Sequence, residues 1–129
     1  MFKVIQPPAD EVALAETGKK IIAAAIELGL KPDTQGFLMA WINGTRIAVE
    51  EDSAGKIIGL ALIALGKRWV QNDFTATILD LRGENQKGML EFVHQICAVL
   101  GVTSLFYQPD GAVEENGQLV HRVLEFKLQ

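Results

Sequence analysis

Sulfur, imidazole and basic charge are all scarce in this chain. Its one cysteine, Cys97, can form no disulfide within the chain, and with only His94 and His121 beside it no spacing reads as a zinc site. Cys97 is therefore read as a core residue. Twelve Lys and Arg stand against 16 Asp and Glu, a formal charge of -4. Contact with a phosphate backbone is driven by clustered basic residues, so no nucleic-acid partner is expected. Long apolar runs are also missing. Residues 57–65 form one of the longest, well short of the roughly 20 residues a bilayer-crossing helix needs. The opening MFKVIQPPADE lacks the basic-then-apolar order of a secretory leader, so the expectation is a cytoplasmic protein with no membrane partner. Without a leader, Asn43-Gly44-Thr45 reads as a turn and not as a glycosylation site.

What is present fits a folded core. At 129 residues, 49% hydrophobic and 22% charged, the chain is expected to form one domain over residues 1–129, with no repeat or low-complexity block to divide it. Residues 2–5 read as a strand closed by Pro7-Pro8. Over residues 9–28 the period changes to helical, with Val12, Ala15, Ile22, Ala25 and Ile26 near one stripe, Asp10 as the cap and Gly29 as the stop. A shorter helix is expected over 33–42, although a strand there stays open. Residues 46–50 alternate and lead through Asp52-Ser53-Ala54-Gly55 into an apolar run over 56–65, a hairpin whose second arm is covered on both faces. A loop over 66–73 precedes a strand over 74–81.

The clearest helix follows at 85–100, where Met89, Phe92, Val93, Ile96, Cys97 and Leu100 share a face and Gly101 marks the stop. A strand over 102–107, a polar loop and a last strand over 118–128 complete the chain. Strand, helix, strand within about thirty residues makes a βαβ unit, whose strands are parallel with a right-handed crossover. The remainder reads as antiparallel.

Three stretches carry a resemblance to a known family. FKVIQPPADEVALAE, TRIAVEEDSAGKIIGLALI and ILDLRGENQKGMLEFVHQICAVLG resemble the first strand and helix, the central hairpin, and the fourth strand and third helix of the GCN5-related N-acetyltransferases. The resemblance implies an α/β fold with a mixed, mostly antiparallel sheet, one central parallel βαβ crossover and helices on both faces. It also implies a turn that holds the pyrophosphate of acetyl-CoA on backbone N-H groups, as a helix N-terminus holds any anion.

That turn reads in the family as Gln or Arg, two residues, Gly, one residue, then Gly or Ala. Here the matching stretch is Asn85-Gln86-Lys87-Gly88-Met89-Leu90, which keeps Gly88 and departs at Asn85 and Leu90. If the Leu90 side chain keeps an anion from two donors, about 1.5 to 3 kcal/mol is lost per charge-assisted bond, roughly 3 to 6 kcal/mol in all. At about 1.4 kcal/mol per decade, that removes on the order of a hundred-fold to ten-thousand-fold of affinity. An offset alignment would use Arg82-Gly83, with Arg82 or Lys87 meeting phosphate as point charges. The candidate cofactor-binding set is thus Arg82, Gly83, Asn85, Gln86, Lys87 and Gly88.

The family's fourth helix, which carries a thiolate-protonating Tyr, has no counterpart in the turn-rich stretch 108–117. Tyr107, the only tyrosine, is the candidate acid, with a half-buried aromatic closing the core as the favoured reading. Asp80, near the end of an apolar strand where ligands of parallel α/β units gather, is the candidate base. An ion pair or loop cap is the favoured reading there too. Glu50, Glu51 and Asp52 form an acidic hairpin tip, read as solvated, and His94 is read as a boundary residue. Trp41 and Trp69 are read as either contact anchors or core.

Two functions from different classes follow. One is a non-catalytic interaction module on this fold, with an eroded acyl-CoA site, no cofactor, and a protein partner or homo-oligomer. Its virion-associated form rests on a likeness to bacteriophage virion proteins that look like acetyltransferases. The other is an acetyl-CoA-dependent N-acetyltransferase acting on an amine. The first is favoured, because both the phosphate turn and the expected acid are altered.

Overall fold

The computed structural model describes residues 1–68, 72–107, 113–115, 118–120 and 124–128. The elements follow in the order β1 (Phe2–Ile5), α1 (Glu11–Glu27), α2 (Thr34–Ile42), β2 (Arg46–Glu51), β3 (Ile57–Arg68), β4 (Asp73–Gly83), α3 (Gln86–Leu100), β5 (Ser104–Tyr107), β6 (Val113–Glu115), β7 (Gln118–Val120) and β8 (Leu124–Lys127). Six strands form one sheet in the order β1-β2-β3-β4-β5-β8, and β6 pairs with β7 apart from it. Among the described residues only β4 and β5 pair parallel, with α3 as the crossover between them, and the other pairs are antiparallel. Thr34–Ile42 is a helix, which resolves the helix-or-strand alternative.

The sheet separates two cores. On one face Ile21, Ala24 and Ala25 of α1 and Trp41 of α2 pack on Ile47, Val49, Ile57 and Leu60. On the other, Met89, Val93 and Cys97 of α3 pack on Ala48, Ala61, Ile63, Ala76, Ile78 and Leu81. Alternation along β2 and β3 therefore sends apolar side chains to both faces, which is why β3 carries no polar face. Trp41 is 1% exposed and its Nε1 donates to Ile5 O at 3.0 Å, so it is core, while Trp69 and His121 lie outside the described residues.

Two bulges shift the register. Between Glu50↔Gly59 and Glu51↔Ile57 an extra residue, Ile58, enters β3. Between Leu62↔Asp80 and Ile63↔Ile78 the extra residue is Leu79, in β4. A bulge resets which residues share a face. Ile78 and Leu81 thus both enter the α3-side core although three positions apart, and Leu79 stands 54% exposed.

Helix ends follow local chemistry. Asp10 accepts from Ala13 N at 2.9 Å, and Gly29 and Gly101 follow their helices with φ of 93° and 80°, conformations open mainly to glycine. Asp33 occupies the N-cap of α2 without a side-chain cap bond. Three expectations are corrected. Residues 66–68 and 73 are not loop, because cross-strand partners Thr75, Phe74 and Asp73 hold Gly66, Lys67 and Arg68 in β3. The strand expected over 102–107 begins at Ser104. The single last strand over 118–128 is two strands with different partners, β7 on β6 and β8 on β5, and β6 falls inside the stretch read as loop.

Candidate functional site

The turn from β4 into α3 is built by three residues with separate duties. Gly83 closes β4 at φ 121°, paired with Gly59; a Cβ there would lie 2.8 Å from Gly59 Cα and 2.9 Å from Ile58 O. Both the backbone conformation and the close approach of β3 require glycine. Glu84 follows, exposed. Asn85 is the N-cap of α3: its Oδ1 accepts from Gly88 N at 3.1 Å, and its carbonyl accepts from Met89 N at 3.1 Å.

This cap decides how open the helix end is to an anion. The Asn85 side chain stands over Gly88 so closely that a Cβ on Gly88 would meet Nδ2 at 2.6 Å. Gly88 is small for the benefit of its own cap, and its N-H is already used. Gln86 and Lys87 are exposed in the first turn, where a helix's N-H groups have no partner within the helix. Leu90 sits a turn further on and packs against the α3-side core, so the side chain covering the helix end is Asn85's and not Leu90's.

In front of the turn lies an open cavity of about 790 Å³ that also takes in the end of α1 and the start of β3. Glu27, Glu50 and Glu84 line it against one cation, Lys56, whose Nζ lies 3.6 Å from Glu27 Oε2. Three carboxylates and one ammonium make the space before the helix end unfavourable to phosphate. Their convergence was missed by sequence reasoning. Residues 27, 50 and 84 lie at the end of α1, in β2 and in the β4–α3 turn, which the fold brings together, and no linear pattern reports it.

The candidate acid and base do not meet. Asp80 lines a cavity of about 210 Å³ on the α1–α2 face, with Leu30, Pro32, Asp33, Phe37 and Leu62. Tyr107, opposite Ile78 at the last described β4–β5 pair, packs against the α3-side core. The sheet lies between those surroundings. Arg82 pairs with Leu60 in the ladder and is partly buried, and Lys87 lines a shallow groove along α3 beside Leu90, Glu91 and His94. His94 also meets the Phe126 ring edge-on at 5.3 Å.

The remaining polar candidates are engaged structurally. Glu51 binds Lys3 at 2.6 Å with Lys20 at 3.7 Å, and Asp52 Oδ1 accepts from Ala54 N and Lys56 N, both at 2.9 Å. The acidic tip is thus partly consumed by the hairpin itself. The Lys3 hydrogen bond, outweighing partial desolvation, and the charges of Lys3 and Lys20 hold the Glu51 carboxyl below the ordinary glutamate range. Cys97 is fully buried, and burial pushes its thiol up to about 11, far from a reactive thiolate. Among the described residues no group of three His, Cys, Asp or Glu is placed to hold a metal. No helix among them is long and apolar enough to cross a membrane.

No family model matches the chain, and no curated protein matches it in sequence. Solved structures do. A GNAT family acetyltransferase from Staphylococcus aureus is similar over 100% of this chain and 97% of its own, with TM-score 0.63 and 13% identity. Glucosamine-6-phosphate N-acetyltransferase from Arabidopsis thaliana matches over 83% of this chain and 81% of its own, with TM-score 0.58 and 18% identity. An aminoglycoside acetyltransferase from an uncultured soil metagenomic sample matches over 88% and 81%, with TM-score 0.59 and 20% identity. At such low identity the likeness speaks for architecture, and it agrees with the mixed sheet, the single parallel pair and the helix after β4. The chain has the fold of the GCN5-related N-acetyltransferases.

Proposed function

We propose that this chain is a non-catalytic interaction module on an acetyltransferase fold, its acyl-CoA site eroded. One observation carries the reading: the helix end that would receive pyrophosphate is capped by Asn85 and faced by Glu27, Glu50 and Glu84. A phosphate there would lose the Gly88 donor, about 1.5 to 3 kcal/mol for a charge-assisted bond, and would meet net negative charge. These residues do not fit acetyl-CoA. The separation of Asp80 from Tyr107 by the sheet points the same way. Such a module works through a protein partner or its own copies, and a virion-associated assembly role is one form of it.

A second reading, an acetyl-CoA-dependent N-acetyltransferase, is favoured by one placement. Asp80 lines a cavity against the α1–α2 connection, where it would take a proton from an amine. Calorimetry with acetyl-CoA separates the two. No heat of binding is expected at sub-millimolar cofactor. Saturable binding at one site, weakened by Gly88→Trp, would replace the first reading with the second.

A further inference from the structure

The β1 edge of the sheet carries a groove that neither reading uses. β1 is an outer strand, paired among the described residues with β2 alone. Residues 1 and 51 exchange both backbone hydrogen bonds, so in the alternation of an antiparallel ladder Lys3 and Ile5 bond across to β2. The backbone N-H and C=O groups of Phe2 and Val4 then face outward, where an added strand would find them. Between this edge and α1 lies a groove of about 370 Å³, lined by Lys3, Ile5, Thr17, Lys20, Ile21 and Glu51 among others.

Its charge is the reverse of the chain's. Lys3 and Lys20 converge on the single carboxylate of Glu51, leaving one net positive charge in a molecule of net charge -4. Glu51 is 11% exposed, whereas the Lys3 and Lys20 side chains are 48% and 58% exposed. At 3.7 Å Lys20 is the looser of the two partners of Glu51, and its side chain lines the groove. Lysine on a strand edge discourages indiscriminate pairing. A second copy of β1 laid antiparallel here would set lysine against lysine. A strand carrying a carboxylate on the α1 side would instead complete the cluster.

We propose that the β1–α1 groove binds an extended, acidic peptide segment of a protein partner as an added strand. Its ladder bonds go to Phe2 and Val4, and its carboxylate goes to Lys20 and Lys3. The proposal does not depend on the β4–α3 turn, which starts at Gly83, three strands from β1 in the sheet order.

The probe is a short blocked peptide alternating valine and glutamate, titrated into ¹⁵N-labelled protein while backbone amide shifts are followed. Saturable shifts at Phe2, Val4 and Lys20 are expected. Lys20→Gln, at a side chain 58% exposed, should weaken binding about tenfold, near the low end for one charge-assisted bond. A peptide N-methylated along its pairing edge should not bind. Equal binding of a valine–lysine peptide, undiminished binding of the N-methylated one, or no shift at Phe2 and Val4 at millimolar peptide would each overturn the proposal.

Discussion

Two glycines of one turn separate structural need from inherited resemblance. Gly83 is locked by its φ of 121° and by the Gly59 and Ile58 backbone, neither of which can give way. Gly83→Ala should cost roughly 3 kcal/mol or more, read by urea unfolding. Gly88 lies inside α3, and what a methyl group would meet is the movable Asn85 side chain. Gly88→Ala should stay within about 1 kcal/mol of wild type, because better helix propensity offsets a disturbed cap. A large loss for Gly88→Ala, or none for Gly83→Ala, would contradict these assignments. The sequence made Gly88 legible as the glycine of a known motif. It could not show that Asn85 occupies the space above it, because Asn as a cap and Asn as a departure from Gln look alike in one dimension. Leu90 misled for a related reason: its bulk was visible, but its direction toward the core is set by where α3 begins.

At the scale of elements, β1 is tied to β2 and α1 through Glu51 with Lys3 and Lys20. The Glu51 carboxyl is held below its ordinary range, so it is more acidic folded than unfolded. Its contribution to stability is therefore complete above the unfolded value of about 4.3 and is lost as pH falls through the lower folded value. Wild type should exceed Glu51→Gln in stability at neutral pH, and the two denaturation curves should converge in acid. A gap that persists at pH 2, or that does not shrink in high salt, would assign the difference to packing. The elements themselves were largely legible, since α1 and α3 carry long periodic faces and chemical caps. What escaped was pairing. Lys67 and Arg68 look like loop until β4 supplies partners, and the alternation over 118–128 cannot announce that its two halves serve different sheets.

For the whole molecule, the proposed loss of acyl-CoA binding has two physical grounds, the cap and the acidic wall. A carboxylate about 7 Å from a phosphate costs between roughly 0.6 and 2.4 kcal/mol, depending on how well water screens it. The donor used by Asn85 is worth about 1.5 to 3 kcal/mol. The wall, with three carboxylates against Lys56, is therefore the larger obstacle unless solvent screens it fully. Thermal unfolding with and without acetyl-CoA can separate them, since a ligand at a hundred times its Kd adds about 2.7 kcal/mol, roughly 10 °C for a chain of this size. Wild type should show no rise. The combined variant Glu27→Gln, Glu50→Gln, Glu84→Gln should show a small one, and adding Asn85→Ala should enlarge it, each read against its own ligand-free midpoint. A rise of several degrees in wild type would mean the turn still binds cofactor. No rise even in the fourfold variant would mean that neither cap nor wall is what excludes it.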